Sequence, residues 1–194
     1  MPYTEPPVKR TATFFDLQNV FLSSKSAWGY SYPNFDPIAL SQLVVKKQHD
    51  WKLTEIHLYT GLHDLKKSAF WHNFWTKKLS AHKMRDSRVS VFTTPLHYNN
   101  GVPSEKGVDI RIALDLVRAA RLGRCDVAVL FSRDTDFAEV AKEIRAIAYE
   151  KQRWIKIVSV MPDHPDLKRG INGTDWIRLS KSEYDSCLDP NDYR

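Results

Sequence analysis

The chain has 194 residues, of which 42% are hydrophobic and 12% aromatic, so it can form one folded domain and is not expected to be disordered. Its formal net charge of +6 fits a polyanionic partner, although an excess of this size concerns association and not the fold. The two cysteines, Cys125 and Cys187, lie far apart in sequence, which argues against a disulfide framework or a cysteine-based zinc site.

Predicted strands and helices alternate along the chain. Strands are predicted over 11–17, 52–62, 88–94, 125–132, 154–161 and 176–179. Helices are predicted from Asp36-Pro37 and over 64–85, 108–122 and 136–149, with a last short helix capped by Ser180 and Glu183. The segments 1–10 and 187–194 are predicted to be flexible tails. This alternation predicts one α/β domain over 11–186, a sandwich whose central sheet is mostly parallel and has five to six strands.

Two connections in this scheme are long. The segment 18–35, QNVFLSSKSAWGYSYPNF, is predicted to be a loop between the first strand and the helix at Asp36, and 95–107 is predicted to be a polar loop. Loops of such length in a compact domain are often functional.

Acidic residues are expected to gather at one rim of the sheet. Asp16 ends the first strand, Asp134 and Asp136 follow the strand over 125–132, and Asp109 opens a helix. Parallel strands end, and the helices after them begin, at the same rim, which is where such folds bind ligands. Carboxylates brought together there repel one another unless a cation lies among them. Their hard oxygens favour Mg²⁺ or Mn²⁺, and such an ion suits phosphodiester hydrolysis.

Each acid also has a structural explanation when it is taken alone. Asp134 could cap the following helix, and Asp109 could favour the positive end of its own helix. Asp115 lies at helical spacing from Arg111 and Arg118, so a surface charge network is the preferred interpretation for it. The expected coincidence of four acids at one rim is what favours a metal site.

Three stretches resemble the motifs of the NYN domain family, a branch of the PIN-like nucleases. FFDLQNV (14–20) resembles the family's first motif, EKGVDIRIALDLVRAA (105–120) its middle motif, and VLFSRDTDFAEVAKEI (129–144) its third. They occur in the family's order and with suitable spacing, so together they are more specific than any one of them.

The resemblance implies a Rossmann-like PIN fold and a nuclease that depends on Mg²⁺ or Mn²⁺. Carried over by position, the metal-binding carboxylates would be Asp16, Asp109 and Asp134. Asp136 would be an accessory acid, and Asn19 would orient a ligand or the scissile phosphate.

The sequence departs from the family's pattern at Arg133, where a glycine is usual. An arginine there could contact a phosphate, or it could pair with a neighbouring acid and close the site. The fourth acid of PIN nucleases has no clear counterpart, with Asp64 and Glu105 as the two possibilities.

Nucleic-acid contacts are expected from residues around the acidic rim. Lys106, Arg111 and Arg133 are closest to it in sequence and could bind phosphates. Trp28 and Tyr30 could stack on unpaired bases from the predicted loop, or they could cover the sheet edge or fold the loop on itself. The aromatic stripe of the helix over 64–85 is expected in the core, or at a homo-oligomer contact if part of it is exposed.

The leading hypothesis is an endoribonuclease that cuts single-stranded or loop RNA with an Asp-held Mg²⁺ or Mn²⁺. The alternative is a catalytically weak or inactive RNA-binding, regulatory module. A phosphatase of the haloacid-dehalogenase type is disfavoured, because it needs Asp-x-Asp after the first strand and Leu17 and Gln18 follow Asp16 here. No signal-peptide core or apolar run of about 20 residues is present, so a cytoplasmic protein without a membrane anchor is expected.

Overall fold

A computed structural model describes residues 3–194. The strands are β1 (Lys9–Asp16), β2 (Trp51–Leu62), β3 (Val89–Pro95), β4 (His97–Asn99), β5 (Val102–Ser104), β6 (Val127–Phe131), β7 (Lys156–Pro162) and β8 (Asp175–Leu179). The helices are α1 (Leu17–Trp28), α2 (Pro37–Lys46), α3 (Ala69–Arg85), α4 (Val108–Arg121), α5 (Phe137–Glu150) and α6 (Lys181–Asp185).

Six of these strands form one parallel sheet in the order β3-β2-β1-β6-β7-β8. This confirms the predicted α/β fold. The chain builds outward from β1 to β3 and then returns to the centre at β6, so the strand order reverses between β1 and β6. In doubly wound sheets a crevice opens beyond the carboxyl ends of the strands at such a reversal, and ligands bind there.

Helices cover both faces of the sheet. Successive residues of a strand point to opposite faces, and β1 shows this directly. Phe15 packs into the core under α1, α2 and α3, whereas Phe14 packs into the core under α4 and α5. Both phenylalanines are fully buried, which holds β1 rigidly at the centre of the molecule.

The prediction of a loop over 18–35 is wrong for its first part, because α1 begins directly after β1. Asp16 is the N-cap of this helix, and Gly29 ends it in the left-handed conformation with a φ of 78°. The helix lacked a clear apolar stripe in sequence because two of its three buried residues are Ser23 and Ser24.

The predicted polar loop over 95–107 contains a hairpin. Strands β4 and β5 pair antiparallel, and Asn100 and Gly101 between them both have positive φ angles, 50° and 79°. Asn-Gly is the residue pair that such tight turns favour, so the sequence did carry this signal. The helix predicted over 64–85 is shorter than expected and starts at Ala69.

The two ends of the chain are more structured than the predicted tails. β1 begins at Lys9, within the segment predicted as a tail. Near the other end, Asp189 accepts a hydrogen bond of 2.7 Å from the buried amine of Lys78. The capping box of Ser180 and Glu183 is confirmed. Among residues 3–194, no helix is long and apolar enough to cross a membrane.

Candidate active site

Asp16 lies at the carboxyl end of β1, at the reversal of strand order. Its side chain is buried, with 5% of the residue exposed. One carboxylate oxygen accepts a hydrogen bond of 3.0 Å from the backbone N–H of Asn19, and the other accepts one of 3.3 Å from the hydroxyl of Ser132. The carboxylate is therefore fixed by groups from both sides of the reversal, β1–α1 and β6–α5.

The protonation of Asp16 is strongly perturbed. Burial, together with the negative charges of Glu105 and Asp109, raises its pKa to about 7, and this value includes the lowering effect of its hydrogen bonds from Asn19 and Ser132. A buried carboxylate with two negative neighbours is in an unfavourable environment that a cation would relieve. Perturbation of this kind is common at functional sites.

Glu105 is the acid that the sequence did not assign. It precedes α4, and its carboxylate accepts a hydrogen bond from the backbone N–H of Gly61, at the end of β2. A Cβ at Gly61 would lie 2.8 Å from Glu105 Oε2 and would overlap Leu96, so the glycine permits this close approach. Burial and the charge of Asp109 raise the pKa of Glu105. Asp64, the other possibility, caps an exposed turn by accepting from the backbone N–H of Lys66.

Asp109 extends the acidic group from the start of α4. Its pKa is raised by burial and by the charges of Asp134 and Asp136, which follow β6. The helix opens at Gly107, whose φ of 82° is unfavourable for other residues. The four acids predicted at one rim thus influence one another there, and Glu105 joins them.

Asp134 and Asp136 divide their roles at the start of α5. Asp134 accepts a hydrogen bond of 2.9 Å from the backbone N–H of Asp136, so it stabilises the turn that opens the helix. Asp136 occupies the N-cap position but makes no side-chain capping bond. Asp134, one of the predicted metal ligands, therefore closes the turn before α5 and does not occupy the N-cap position that its spacing allowed.

The acids do not converge as a preformed metal site. In the part of the chain that the structure describes, no group of three or more His, Cys, Asp or Glu side chains is close enough to hold a metal ion. Their chemistry nevertheless fits Mg²⁺ or Mn²⁺, since all five are carboxylates and three have pKa values raised partly by mutual repulsion.

Asn19 connects the two halves of the site. Its side-chain oxygen accepts hydrogen bonds of 2.9 Å from the backbone N–H of Arg133 and 3.3 Å from the hydroxyl of Ser23. The amide thus holds the first turn of α1 against the turn after β6, between Asp16 and Asp134.

Arg133 does not neutralise the acidic group. Its side chain forms no salt bridge with any acid among residues 3–194, and its buried Nε has no hydrogen-bond partner there. The side chain instead lines a cavity between α1 and the ends of β6 and β7, together with Asn19 and Ser132. An arginine without a partner beside a ligand crevice is suited to receive an anion.

Of the other two predicted phosphate contacts, Lys106 is free of acidic partners among residues 3–194 and Arg111 is not. Lys106 is exposed and forms no salt bridge within residues 3–194. Arg111 pairs with Asp115 at 2.7 Å and lies over the ring of Phe92, as part of the predicted surface network.

Trp28 and Tyr30 do not project from a loop. The ring of Trp28, the last residue of α1, lies 4.8 Å from that of Tyr184, and the ring of Tyr30 stacks on Tyr184 at 5.2 Å. The hydroxyl of Tyr30 also donates to Asp185. Both rings thus pack against Tyr184 of α6 and do not form the free stacking surface that was expected from a loop.

The parallel sheet defines a Rossmann-like α/β protein, with a candidate site where acidic residues gather at the reversal of strand order. Residues 10–159 match the NYN domain, and because this covers most of the chain, the protein belongs to the NYN domain family of PIN-like nucleases. No curated protein matches the sequence. A crystal structure of a protein of unknown function from Vibrio parahaemolyticus RIMD 2210633 is similar in fold, with 20% identity and a TM-score of 0.57 over 96% of this chain and 99% of that chain.

Proposed function

We propose that the protein is a divalent-metal-dependent endoribonuclease that hydrolyses phosphodiester bonds in single-stranded or loop RNA. The observation that carries the proposal is Asp16, a buried carboxylate at the strand-order reversal whose pKa is raised to about 7 by burial and by neighbouring acids. An acid in this state is costly in a protein without a cation, and membership of a nuclease family supplies the chemistry that needs one.

Asp16, Asp109 and Asp134 would hold Mg²⁺ or Mn²⁺, with Glu105 beside them. Asp109 is exposed and Asp134 half-buried, so both can adjust around the buried Asp16. When bound, the ion would polarise the phosphate and lower the pKa of an attacking water. The products would carry a 5′-phosphate and a 3′-hydroxyl, as in direct attack of water on the phosphodiester.

The chain's own residues would bind and orient the substrate. Asn19 and Ser132 hold Asp16 and the turn after β6 in a fixed relation. Arg133 would bind a phosphate next to the scissile one, because its side chain has no acidic partner within residues 3–194. Lys106 would add a second, more exposed phosphate contact. We place the enzyme in the cytoplasm, where its two buried cysteines would stay reduced.

The alternative is an RNA-binding module of this family that does not cut, or cuts weakly. It is favoured by the fact that no three acids among residues 3–194 converge at metal-binding distance. The state of Arg133 argues against this alternative. In an inactive site this arginine could pair with the acids and neutralise them, but no such pair forms among residues 3–194.

Cleavage of an end-labelled single-stranded RNA separates the two. We expect cleavage with Mg²⁺ or Mn²⁺, none in excess EDTA, and loss of cleavage in Asp16→Asn. Asparagine is as good an N-cap as aspartate, so this variant should fold. Glu139→Gln, an exposed acid on α5 paired only with Lys142 among residues 3–194, is the matched control and should cut normally. Equal cleavage in EDTA would overturn the metal mechanism, and binding without cleavage would favour the alternative.

A further inference from the structure

A second cavity adjoins the acidic group at the same rim of the sheet. It lies between α1, α3 and the segment after β3, and it shares Glu105 with the acidic group. We propose that this cavity binds one unpaired base of the RNA, next to the phosphate that is cut. The inference rests on the proposed function, because the base belongs to the same substrate.

The walls of the cavity suit a flat aromatic ligand. Phe21 comes from α1, Trp71 and Trp75 from α3, and Leu96 lies just after β3. The cavity volume of about 140 Å³ is close to the roughly 150 Å³ of an engineered apolar cavity that binds benzene. Since every base has a π face, stacking on such rings gives affinity without a strong sequence preference.

The position of the cavity ties it to the chemistry. Gln18, two residues after Asp16, lines it on one side, and Glu105 lines it on another. Glu105 is fixed there by Gly61, which also lines the cavity. A base in the cavity would therefore lie beside the carboxylates, with its phosphate directed toward them.

Polar groups at the rim could contact the edge of a base. His63 lines the cavity and bonds the hydroxyl of Tyr98 through Nδ1 at 3.0 Å. Neither its Nε2 nor the side-chain amide of Gln18 has a hydrogen-bond partner among residues 3–194. The amine of Lys67 lies 4.1 Å from the centre of the Tyr98 ring, so a positive charge is available near His63 for a phosphate of the bound RNA.

A base is the occupant that this surrounding favours. The cavity shares Glu105 with the acidic group at which the proposed function places a nucleic acid, and its walls are aromatic on two sides. The rings predicted from sequence to stack, Trp28 and Tyr30, contact Tyr184 and do not line this cavity. Trp71 also contacts its neighbour Phe74, but it lines the cavity beside Glu105.

The test is an abasic scan of a short single-stranded RNA. Affinity is measured by fluorescence anisotropy in the Asp16→Asn protein with Mg²⁺, where the RNA stays intact, and each nucleotide in turn is replaced by an abasic one. We expect a loss of about 5- to 150-fold at one position next to the bond that the wild-type protein cuts, and little loss elsewhere.

A double-mutant comparison then locates the effect. In Asp16→Asn with Trp71→Leu, intact RNA should bind as weakly as the abasic RNA, and the difference between them should disappear. Trp176→Leu, a partly exposed tryptophan on β8 at the far edge of the sheet, should keep the difference. If Trp71→Leu fails to fold, the abasic scan on Asp16→Asn, in which Trp71 is intact, still tests the inference.

The outcomes separate this inference from the proposed function. Position-dependent loss that vanishes in Trp71→Leu supports the base site, even if the wild-type protein does not cut. Normal cleavage with equal affinity for all abasic RNAs, or with a difference that persists in Trp71→Leu, overturns the base site alone. Absence of any RNA binding overturns both.

Discussion

The side-chain oxygen of Asn19 accepts a hydrogen bond of 2.9 Å from the backbone N–H of Arg133. This bond spans the reversal of strand order, because Asn19 is in the first turn after β1 and Arg133 is in the turn after β6. It therefore sets the separation between Asp16 and Asp134, the two predicted ligands on either side.

Asn19→Ala should impair cleavage more than stability. Loss of its two partly buried hydrogen bonds, from the backbone N–H of Arg133 and the hydroxyl of Ser23, should lower the free energy of unfolding by about 1–3 kcal/mol, measured by urea denaturation. Cleavage should fall further, because the turn that carries Asp134 is no longer held. Ser23→Ala removes only the weaker 3.3 Å bond to the same oxygen and should change both values little. An Asn19→Ala protein as active as the wild type would show that the bond does not position the site.

Arg133→Ala should weaken RNA binding through the loss of one phosphate contact. For single-stranded RNA, the slope of log affinity against log salt should become shallower by about 0.7. Arg133→Lys should keep most of the slope, since the charge remains. The control is Arg145→Ala, which removes an exposed arginine on α5 that donates a hydrogen bond to the carbonyl of Gly173. An unchanged slope in Arg133→Ala would contradict a phosphate contact.

Glu105→Gln should remove the negative charge of this side chain and keep its hydrogen bond from Gly61. Glutamine can still accept the hydrogen bond from Gly61, so the EDTA-treated protein should be as stable as the wild type or more stable, because repulsion with Asp16 and Asp109 is removed. Metal affinity or activity should fall by about 10- to 100-fold. Unchanged metal affinity would exclude Glu105 from the site.

Gly61→Ala should displace Glu105 by steric overlap, without changing any charge. A Cβ there would press on Glu105 and Leu96, and overpacking of this kind costs about 1–3 kcal/mol of stability. Cleavage should fall together with thermal stability, unlike the effect of Glu105→Gln. A stable and active Gly61→Ala protein would mean that the approach of Glu105 to β2 is not required.

The stability of the metal-free protein should depend on pH through Asp16. The pKa of its carboxyl is about 7 when folded, against an ordinary value of 3.8. Between these values the folded state keeps a proton that the unfolded state releases, so the stabilising contribution of Asp16 should be full below about pH 4 and should be lost as the pH rises to about 7. The total loss should stay below about 4 kcal/mol.

Urea denaturation in EDTA across this pH range measures the effect. Asp16→Asn should lose less stability over the interval, whereas Glu139→Gln should follow the wild-type profile. The same decline in Asp16→Asn as in the wild type would assign the titration to another group.

The rim was predictable from sequence because its parts are local. Asp16 and Asp134 follow apolar strands and Asp109 opens a helix, and in a parallel sheet these positions share an edge. Glu105 was not assignable, because it reaches the rim only through the packing of its segment against Gly61, 44 residues earlier. The sequence also could not predict whether Arg133 pairs with an acid or stays available for a phosphate, since it was compatible with both.

Helix α1 and the rings of Trp28 and Tyr30 were not predictable from local sequence patterns. The face that α1 buries includes Ser23 and Ser24, which are poor signals of a buried helix face. A loop over 18–35 would leave Trp28 and Tyr30 free for stacking, whereas α1 and Tyr184 fix both rings. Their partner Tyr184 lies more than 150 residues later, and no local pattern points to it.

Manganese binding tests the central claim most directly. Crystals soaked in Mn²⁺ and measured at a wavelength where manganese scatters anomalously should show a peak among Asp16, Asp109 and Asp134. The peak should be absent in Asp16→Asn and present in Glu139→Gln. No peak at a Mn²⁺ concentration that supports RNA cleavage, or a peak away from these carboxylates, would contradict the account.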